Sequence, residues 1–280
     1  MLSPQDLLDS LHKAAVKISD DAPAHPVGSP SSVYSCLRRQ WYSAKGVQES
    51  NVRSLKSLKK MASGKAIEDY WHEVYRGAGF KVYRPKTRLP IYSSTGELLT
   101  DGEIDGVLEQ LEEPHHKILL ELKDLGIWTY TGILEKGLEN YDPGYYVQLQ
   151  LYLHAALEAG VVDQPYAVFH AGMADSSAVV WIWKAIKKKD PADLPDVHIQ
   201  VIGYDPIIVN WAMRRIDIAK LLVMSDSVPA REYDPEAMQK TKGGGFPCGK
   251  LDNPYCPWLE TCIKDAGTTV RMEYPAEGKK

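Results

Sequence analysis

The stretch KILLELKD, residues 117–124, constrains the fold more than any other segment of the chain. In an extended strand side chains alternate between faces, so Ile118, Leu120 and Leu122 share one face, and Glu121 and Lys123 share the other. A strand with an aliphatic back must sit in a sheet whose back is covered. Its front then presents a carboxylate beside an ammonium. This is either an ion pair on a solvated strand or part of a reaction centre, and the second needs further carboxylates nearby.

The rest of the pattern says what such a sheet belongs to. An amphipathic helix fits residues 4–19, a Pro/Gly/Ser break covers 22–30, and a second helix fits 31–45. A long helix over 55–78 ends at Gly77 and Gly79. Strand patterns follow at 80–84, 87–93, 97–109 and 116–123, with SSTGE at 93–97 as a turn signal. Helices are expected near 131–139 and 144–160, strands at 165–171 and 178–184, and a helix over 206–224. Helix, strands, helix, strands describes an α/β fold, a mixed sheet flanked by helices.

Composition excludes some functions. The chain has 280 residues, is 44% hydrophobic and carries a net charge of −4, so no global basic field announces a nucleic-acid partner. Basic residues gather locally in RSLKSLKK (53–60) and KAIKKKD (184–190). No run approaches the roughly 20 apolar residues of a membrane span. The N-terminus has no signal-peptide core, so a cytoplasmic location is expected. In GGFPCGKL (244–251) the G-x₄-G-K spacing is followed by Leu251 and preceded by more glycine, not by a strand, which excludes an ATP-binding loop. His72, His154 and His170 are scattered and are read as structural or surface residues.

The carboxylates are more telling. TDGEIDGVLEQ (100–110) places Asp105 on a strand after Gly102, and if that strand pairs with 117–123, Asp105 and Glu121 converge. Asp101 and Glu103 are also available. SGKAIEDYWHEVY (63–75) puts Glu68 one turn after Gly64, where a glycine would let the helix approach the sheet closely. YYVQLQLYLHAAL (145–157) puts Gln148 and Tyr152 at i and i+4 on one helix face.

The series Gly64…Glu68, Gly102-x-x-Asp105, Glu121-Leu122-Lys123, Gln148-x-x-x-Tyr152 resembles the PD-(D/E)XK nuclease superfamily in its RecB-like branch. The resemblance implies a restriction-endonuclease-like core over 50–205 and hydrolysis of DNA phosphodiester bonds. It implies that Glu68, Asp105, Glu121 and the backbone carbonyl of Leu122 hold Mg²⁺ or Mn²⁺. Glu121, Asp105 and Lys123 are then the catalytic group, with Lys123 assisting the attack. Many relatives carry His where this chain has Glu68, and Glu favours hard, oxygen-loving ions more strongly. Gln148 and Tyr152 are cast as positioning and DNA-contact residues, and Arg38, Arg39 and Lys65, with Lys56, Lys59 and Lys60, as phosphate contacts. The chemistry suits these residue types, because carboxylates hold ions that activate water and a lysine neutralises developing negative charge.

The cysteines are a separate signal. The chain has four, Cys36, Cys248, Cys256 and Cys262, three of them within CGKLDNPYCPWLETC. Four cysteines in a cytosolic chain suggest metal or cluster binding before disulfides. Zinc sites usually show two close C-x₂₋₄-C pairs, which this chain lacks. One distant cysteine in SCLRRQWY (35–42) and three near the C-terminus resemble the iron–sulfur nucleases of the RecB-like group, the AddB-type domain and the CRISPR-associated exonucleases. The implied cofactor is a [4Fe–4S] cluster, with zinc as the alternative, although Cys248 and Cys256 stand further apart than is usual in that group.

The expected organisation is an N-terminal helical segment (1–49) lending one cluster cysteine, the core (50–205), and a C-terminal helix with the cluster-binding segment (206–280). The expected function is a DNA exonuclease acting on single strands or free ends. The alternative is a DNA-end-binding or processing subunit of a larger complex, with a helicase, a recombinase or the CRISPR adaptation machinery as partner. Trp128, Tyr130, Tyr145 and Tyr146 flank the strand and the following helix, where they either stack on bases or pack between helix and sheet.

Overall fold

The structure is a computed structural model. It describes residues 13, 27–51, 67–83, 88–93, 95–111, 115–174, 184, 186–187, 189–233, 248–250, 253–254, 256–265, 267, 269–270 and 274–275. The predicted helix at 4–19, Gly64, Lys56, Lys59, Lys60 and Lys65, and nearly all of the predicted strand at 178–184 lie outside the described residues. The chain divides into two compact units, one made of residues 64–213 and the other of 1–63 together with 214–280.

The 64–213 unit is built on a five-stranded mixed sheet. Its strands are β1 (Phe80–Tyr83), β4 (Gly106–Gln110), β5 (Lys117–Leu125), β6 (Tyr166–Met173) and β7 (Val197–Gly203), in the spatial order β1-β4-β5-β6-β7. A separate hairpin pairs β2 (Arg88–Tyr92) with β3 (Leu98–Glu103). The strand expected over 97–109 is therefore two strands. β3 stays with the hairpin, and the chain turns at Ile104 and Asp105 before β4 joins the sheet. β4 and β5 are antiparallel, with Gly106 opposite Leu120. β5 and β6 are parallel, and a parallel pair needs a long crossover. The crossover is helical: α3 (Ile127–Lys136), α4 (Leu138–Tyr141) and α5 (Pro143–Glu158).

Strand β7 has no counterpart in the sequence expectations. Its inward residue Ile202 is buried, while Ile199 and Val201 are exposed, so this edge strand lacks the apolar run that marks β5. The helix expected at 206–224 is found as α6, Pro206–Met224.

Helix α2, described over 67–77, covers the back of the sheet. Its Tyr75 packs with Leu108, Leu120 and Leu122, joined by Trp71, Phe80, Val82 and Val168. The glycine that permits the close approach is Gly106 of the sheet, where an added Cβ would stand 3.2 Å from Nε2 of His72. His170, on the same face as Leu122, is buried, lies 4.3 Å ring to ring from Trp71 and bonds Tyr75 through Nδ1 at 3.0 Å. Both faces of β5 are covered, so Ile118, Leu119, Leu120, Leu122 and Leu125 are all buried. At about 1.5–3 kcal/mol for each buried aliphatic side chain, they offset the several kcal/mol that it costs to bury a charged pair on the same strand.

The unit of 1–63 and 214–280 contains α1 (Leu37–Ala44), a short hairpin of β8 (Gly249–Lys250) and β9 (Asn253–Pro254), and α7 (Leu259–Lys264). The helix expected over 31–45 begins later, because residues 29–35 form turns closed by Ser29, Ser32 and Ser35. Its core is Trp41, Tyr42 and Trp258, with Tyr42 and Trp258 stacked at 6.3 Å. Buried Arg215 donates to both carboxylate oxygens of Glu232 at 2.6 Å and to the carbonyls of Val33 and Ser35, which ties the N-terminal turns to the C-terminal part of the unit. Among the described residues no helix is long and apolar enough to cross a membrane.

Candidate active site and cysteine pocket

Asp105 occupies the position just before β4, and one step beyond the Gly106–Leu120 pair of β4 and β5 this is opposite Glu121. Its Oδ2 accepts the backbone N–H of Leu122 at 2.8 Å and lies 3.3 Å from Nζ of Lys123. Lys123 also pairs with Oε1 of Glu121 and donates to the carbonyl of Leu122 at 3.1 Å. One ammonium therefore joins two carboxylates and a strand carbonyl. Asp101 is instead paired with Arg88 across the hairpin at 2.7 Å, and Glu103 is exposed at the end of β3. Of the three acids in 100–105, Asp105 is the one that meets Lys123 because the turn before β4 aims it at β5.

Helix α5 closes this side. Asp142 caps it, accepting the N–H of Tyr145 at 3.0 Å, and Pro143 opens the first turn. Gln148 donates to Oε1 of Glu121 at 3.1 Å and lies 3.4 Å from the hydroxyl of Tyr152. Both residues are buried, Gln148 at 9% exposure and Tyr152 at 6%, with the Gln148 amide against the Glu121 carboxylate. The other oxygen of Glu121, Oε2, is buried and finds no hydrogen-bond partner among the described residues.

Electrostatics follow from crowding charges in a dry place. Burial opposes the charge on Lys123, but Asp105 and Glu121 overcome it and hold its pKa well above the usual lysine value. Glu121 is the group that gives. Burial, then the negative charge of Asp105, pushes it from 4.5 up to about 8 against the pull of Lys123, and Glu68 adds a further upward push. Glu68 thus lies close enough for its charge to be felt at Glu121.

A stability prediction follows. Between about pH 4.5 and about pH 8 the folded chain holds a proton on Glu121 that the unfolded chain has lost. This contribution is complete below the lower value and is lost as pH rises through the upper one, at up to about 1.4 kcal/mol for each pH unit. In EDTA, melting of the wild type should therefore fall by several degrees more than that of Glu121→Gln over this window. Parallel pH profiles would count against the assignment.

The four cysteines are all free thiols, and all four line one pocket, with Arg38, Arg39, Tyr42, Tyr233 and Leu259. The pocket lies wholly within the 1–63/214–280 unit. The wide spacing of Cys248 and Cys256 is taken up by the β8–β9 hairpin, which returns the chain so that the N–H of Cys256 meets the carbonyl of Cys248 at 3.2 Å. Cys36 precedes α1 as its N-cap. Burial pushes its thiol up, while the nearby backbone N–H groups of Glu232, Arg39 and Arg38 pull it down, and the carboxylate of Glu232 adds to the rise. Burial likewise raises Cys256 to about 11, and Cys36 and Cys262 add to it. Among the described residues no three His, Cys, Asp and Glu side chains converge tightly enough to hold an ion as they stand.

Of the residues expected to contact phosphate, Arg38 is 3% exposed, and its Nε donates to the carbonyl of Pro229 at 2.6 Å. Of the two roles open to the aromatic residues, packing fits Tyr130 and Tyr146, which are buried, and Tyr130 donates to the carbonyl of Pro195. Trp128 is 39% exposed and Tyr145 half-buried, and both remain accessible. Arg39 is partly exposed at the rim of the cysteine pocket. Sequence reasoning did not find the contact of Tyr145 with Lys123, nor Tyr42, Tyr233 and Glu232 around the cysteines. Aromatic residues carry no spacing signal for such roles.

No family model and no curated protein matches this chain. Among solved structures it is similar to an alkaline exonuclease from Laribacter hongkongensis, at 13% identity and a TM-score of 0.44, covering 71% of this chain and 89% of that one. It is similar also to that exonuclease in complex with dAMP, at 13% identity and a TM-score of 0.42, covering 67% of this chain and 77% of that one.

Proposed function

We propose that the protein is a Mg²⁺- or Mn²⁺-dependent deoxyribonuclease that removes nucleotides from DNA ends, preferring single strands, and that it carries a [4Fe–4S] cluster in the cysteine pocket. The observation that carries the first part is the pairing of Asp105 and Glu121 around Lys123 with a buried, unpartnered Glu121 oxygen. A buried carboxylate oxygen without a donor fits a hard cation, and the ligand set of Glu68, Asp105, Glu121 and the carbonyl of Leu122 is made of oxygen, as Mg²⁺ and Mn²⁺ require. When bound, such an ion activates water and relieves charge at the leaving oxygen.

The protein side of the chemistry falls to few residues. Lys123, held charged, offers its ammonium to a non-bridging phosphate oxygen or to the attacking water, where negative charge grows in the transition state. Gln148 fixes the rotamer of Glu121 through its amide, and Tyr152 lies against that amide in turn. Asp105 is oriented by the Leu122 N–H, so that its second oxygen is left for a ligand. The aliphatic back of β5 anchors the whole set.

The cluster assignment rests on four free thiols lining one pocket, Cys36 and Cys256 raised by burial and Cys256 also by the charges of Cys36 and Cys262, with Arg39 at the rim. Thiolates repel, and bound iron relieves that repulsion.

The test is incubation with end-labelled single- and double-stranded DNA, linear and circular, in Mg²⁺, Mn²⁺ or EDTA. Shortening of linear strands with either metal, none in EDTA and no cut in circles is expected. DNA binding without cleavage under any metal would instead favour an end-binding subunit.

A further inference from the structure

We propose that Tyr145 is a positioning residue for Lys123: the face of its ring holds the ammonium at the carboxylates and points it at the scissile phosphate. The inference rests on the nuclease function proposed above and adds a residue outside the Glu121-x-Lys123 and Gln148…Tyr152 pattern.

The geometry is specific. Nζ of Lys123 lies 5.7 Å from the ring centroid of Tyr145, within the range in which a ring quadrupole attracts an ammonium. Tyr145 precedes Gln148 by three residues and Tyr152 by seven, so all three share one stripe of α5. The helix start that carries Tyr145 is fixed by the Asp142 cap and by Pro143, so the ring is set by backbone geometry and not by a mobile loop. Burial and the charge on Lys123 both act on the Tyr145 hydroxyl, which places the ring in the same dry, charged environment.

The role follows from counting partners. An ammonium has three donors, and those of Lys123 meet Asp105, Glu121 and the Leu122 carbonyl. Two of these acceptors are the carboxylates assigned to a metal ion. When they serve an ion, their hold on Lys123 weakens, and a flexible four-carbon stem lets the ammonium wander. A ring face needs no directed hydrogen bond, competes for no metal, and keeps the ammonium in place. Without it the lysine samples positions that do not reach the phosphate, and misplacement of this kind is costly in rate.

The experiment replaces Tyr145 by Phe, by mono-, di- and trifluorophenylalanine, and by Leu in the full-length protein. The fluorinated rings keep the shape and weaken the quadrupole stepwise. Cleavage of a labelled single strand should be near wild type for Phe, fall progressively with fluorination, and drop about 10- to 30-fold for Leu, in kcat more than in KM. In Mg²⁺, without DNA, acylation of Lys123 relative to exposed lysines should rise in the same order. A flat fluorine series, in cleavage and in Lys123 labelling, overturns the proposal, because a merely space-filling ring would behave that way. If the wild type cleaves no DNA, the nuclease function fails separately, and the labelling series still decides whether the ring holds the lysine.

Discussion

Lys123→Ala is expected to lower metal-dependent DNA cleavage by about three orders of magnitude while the chain stays folded. Removing one preorganised charge stabiliser from an enzyme site typically costs roughly 10²–10³ in kcat, and Lys123 also orders both carboxylates. The fold should survive because Lys123 lies on the α5 side of β5, while Leu120 and Leu122 make the core contacts on the other side. Left without the ammonium, Glu121 loses the one charge that pulls its pKa down and holds its proton to still higher pH. Glu121→Gln should lose cleavage to a similar degree, since the amide keeps the shape but cannot ligate as an anion. Circular dichroism and melting check the fold, and single-turnover cleavage of an end-labelled strand checks the chemistry. Undiminished cleavage by either variant would remove β5 from the mechanism.

Cys36→Ala is expected to bleach the protein and to destabilise it by roughly 2–5 kcal/mol, the range seen when a native covalent cross-link is removed from a small domain. Cys36 belongs to the N-terminal part of its unit and Cys248, Cys256 and Cys262 to the C-terminal part, so a cluster on all four clips together segments far apart in the chain. Protein purified without oxygen should be brown and contain iron and acid-labile sulfide, and the variant should contain neither. Hydrolysis needs no redox step, so the role assigned to the cluster is structural. Stoichiometric zinc without labile sulfide would defeat the cluster and leave the nuclease function standing, since the two rest on separate residues.

What could be read before folding was whatever repeats within a few residues. The two faces of β5 were legible because strand alternation is local, and Leu120 and Leu122 do pack behind Glu121 and Lys123. The stripe of Gln148 and Tyr152 was legible for the same reason, as was the extent of α6. The degree of burial was not. Glu121, at 1% exposure, stands in a drier place than alternation alone indicates, because α5 covers the polar face of the strand as α2 covers the apolar one. The edge strand β7 was missed because its exposed Ile199 and Val201 blur the pattern that burial normally imposes.

By itself, then, the sequence determined which residue types stand on which face of each strand and helix, since backbone geometry sets that within a turn or two. It also determined that four thiols were present in a chain whose strand and helix patterns carry Glu68, Asp105, Glu121 and Lys123. Only the tertiary structure decided that Asp105, and not Asp101 or Glu103, meets Lys123, because the turn before β4 depends on which sheet each strand joins. Only the tertiary structure decided that Arg38 is spent inside the fold on the Pro229 carbonyl, and that a hairpin brings Cys248 back to Cys256 in the pocket that Cys36 shares. Such contacts join residues that are distant in the chain. Their free energy depends on what the whole fold buries, and no local period records it.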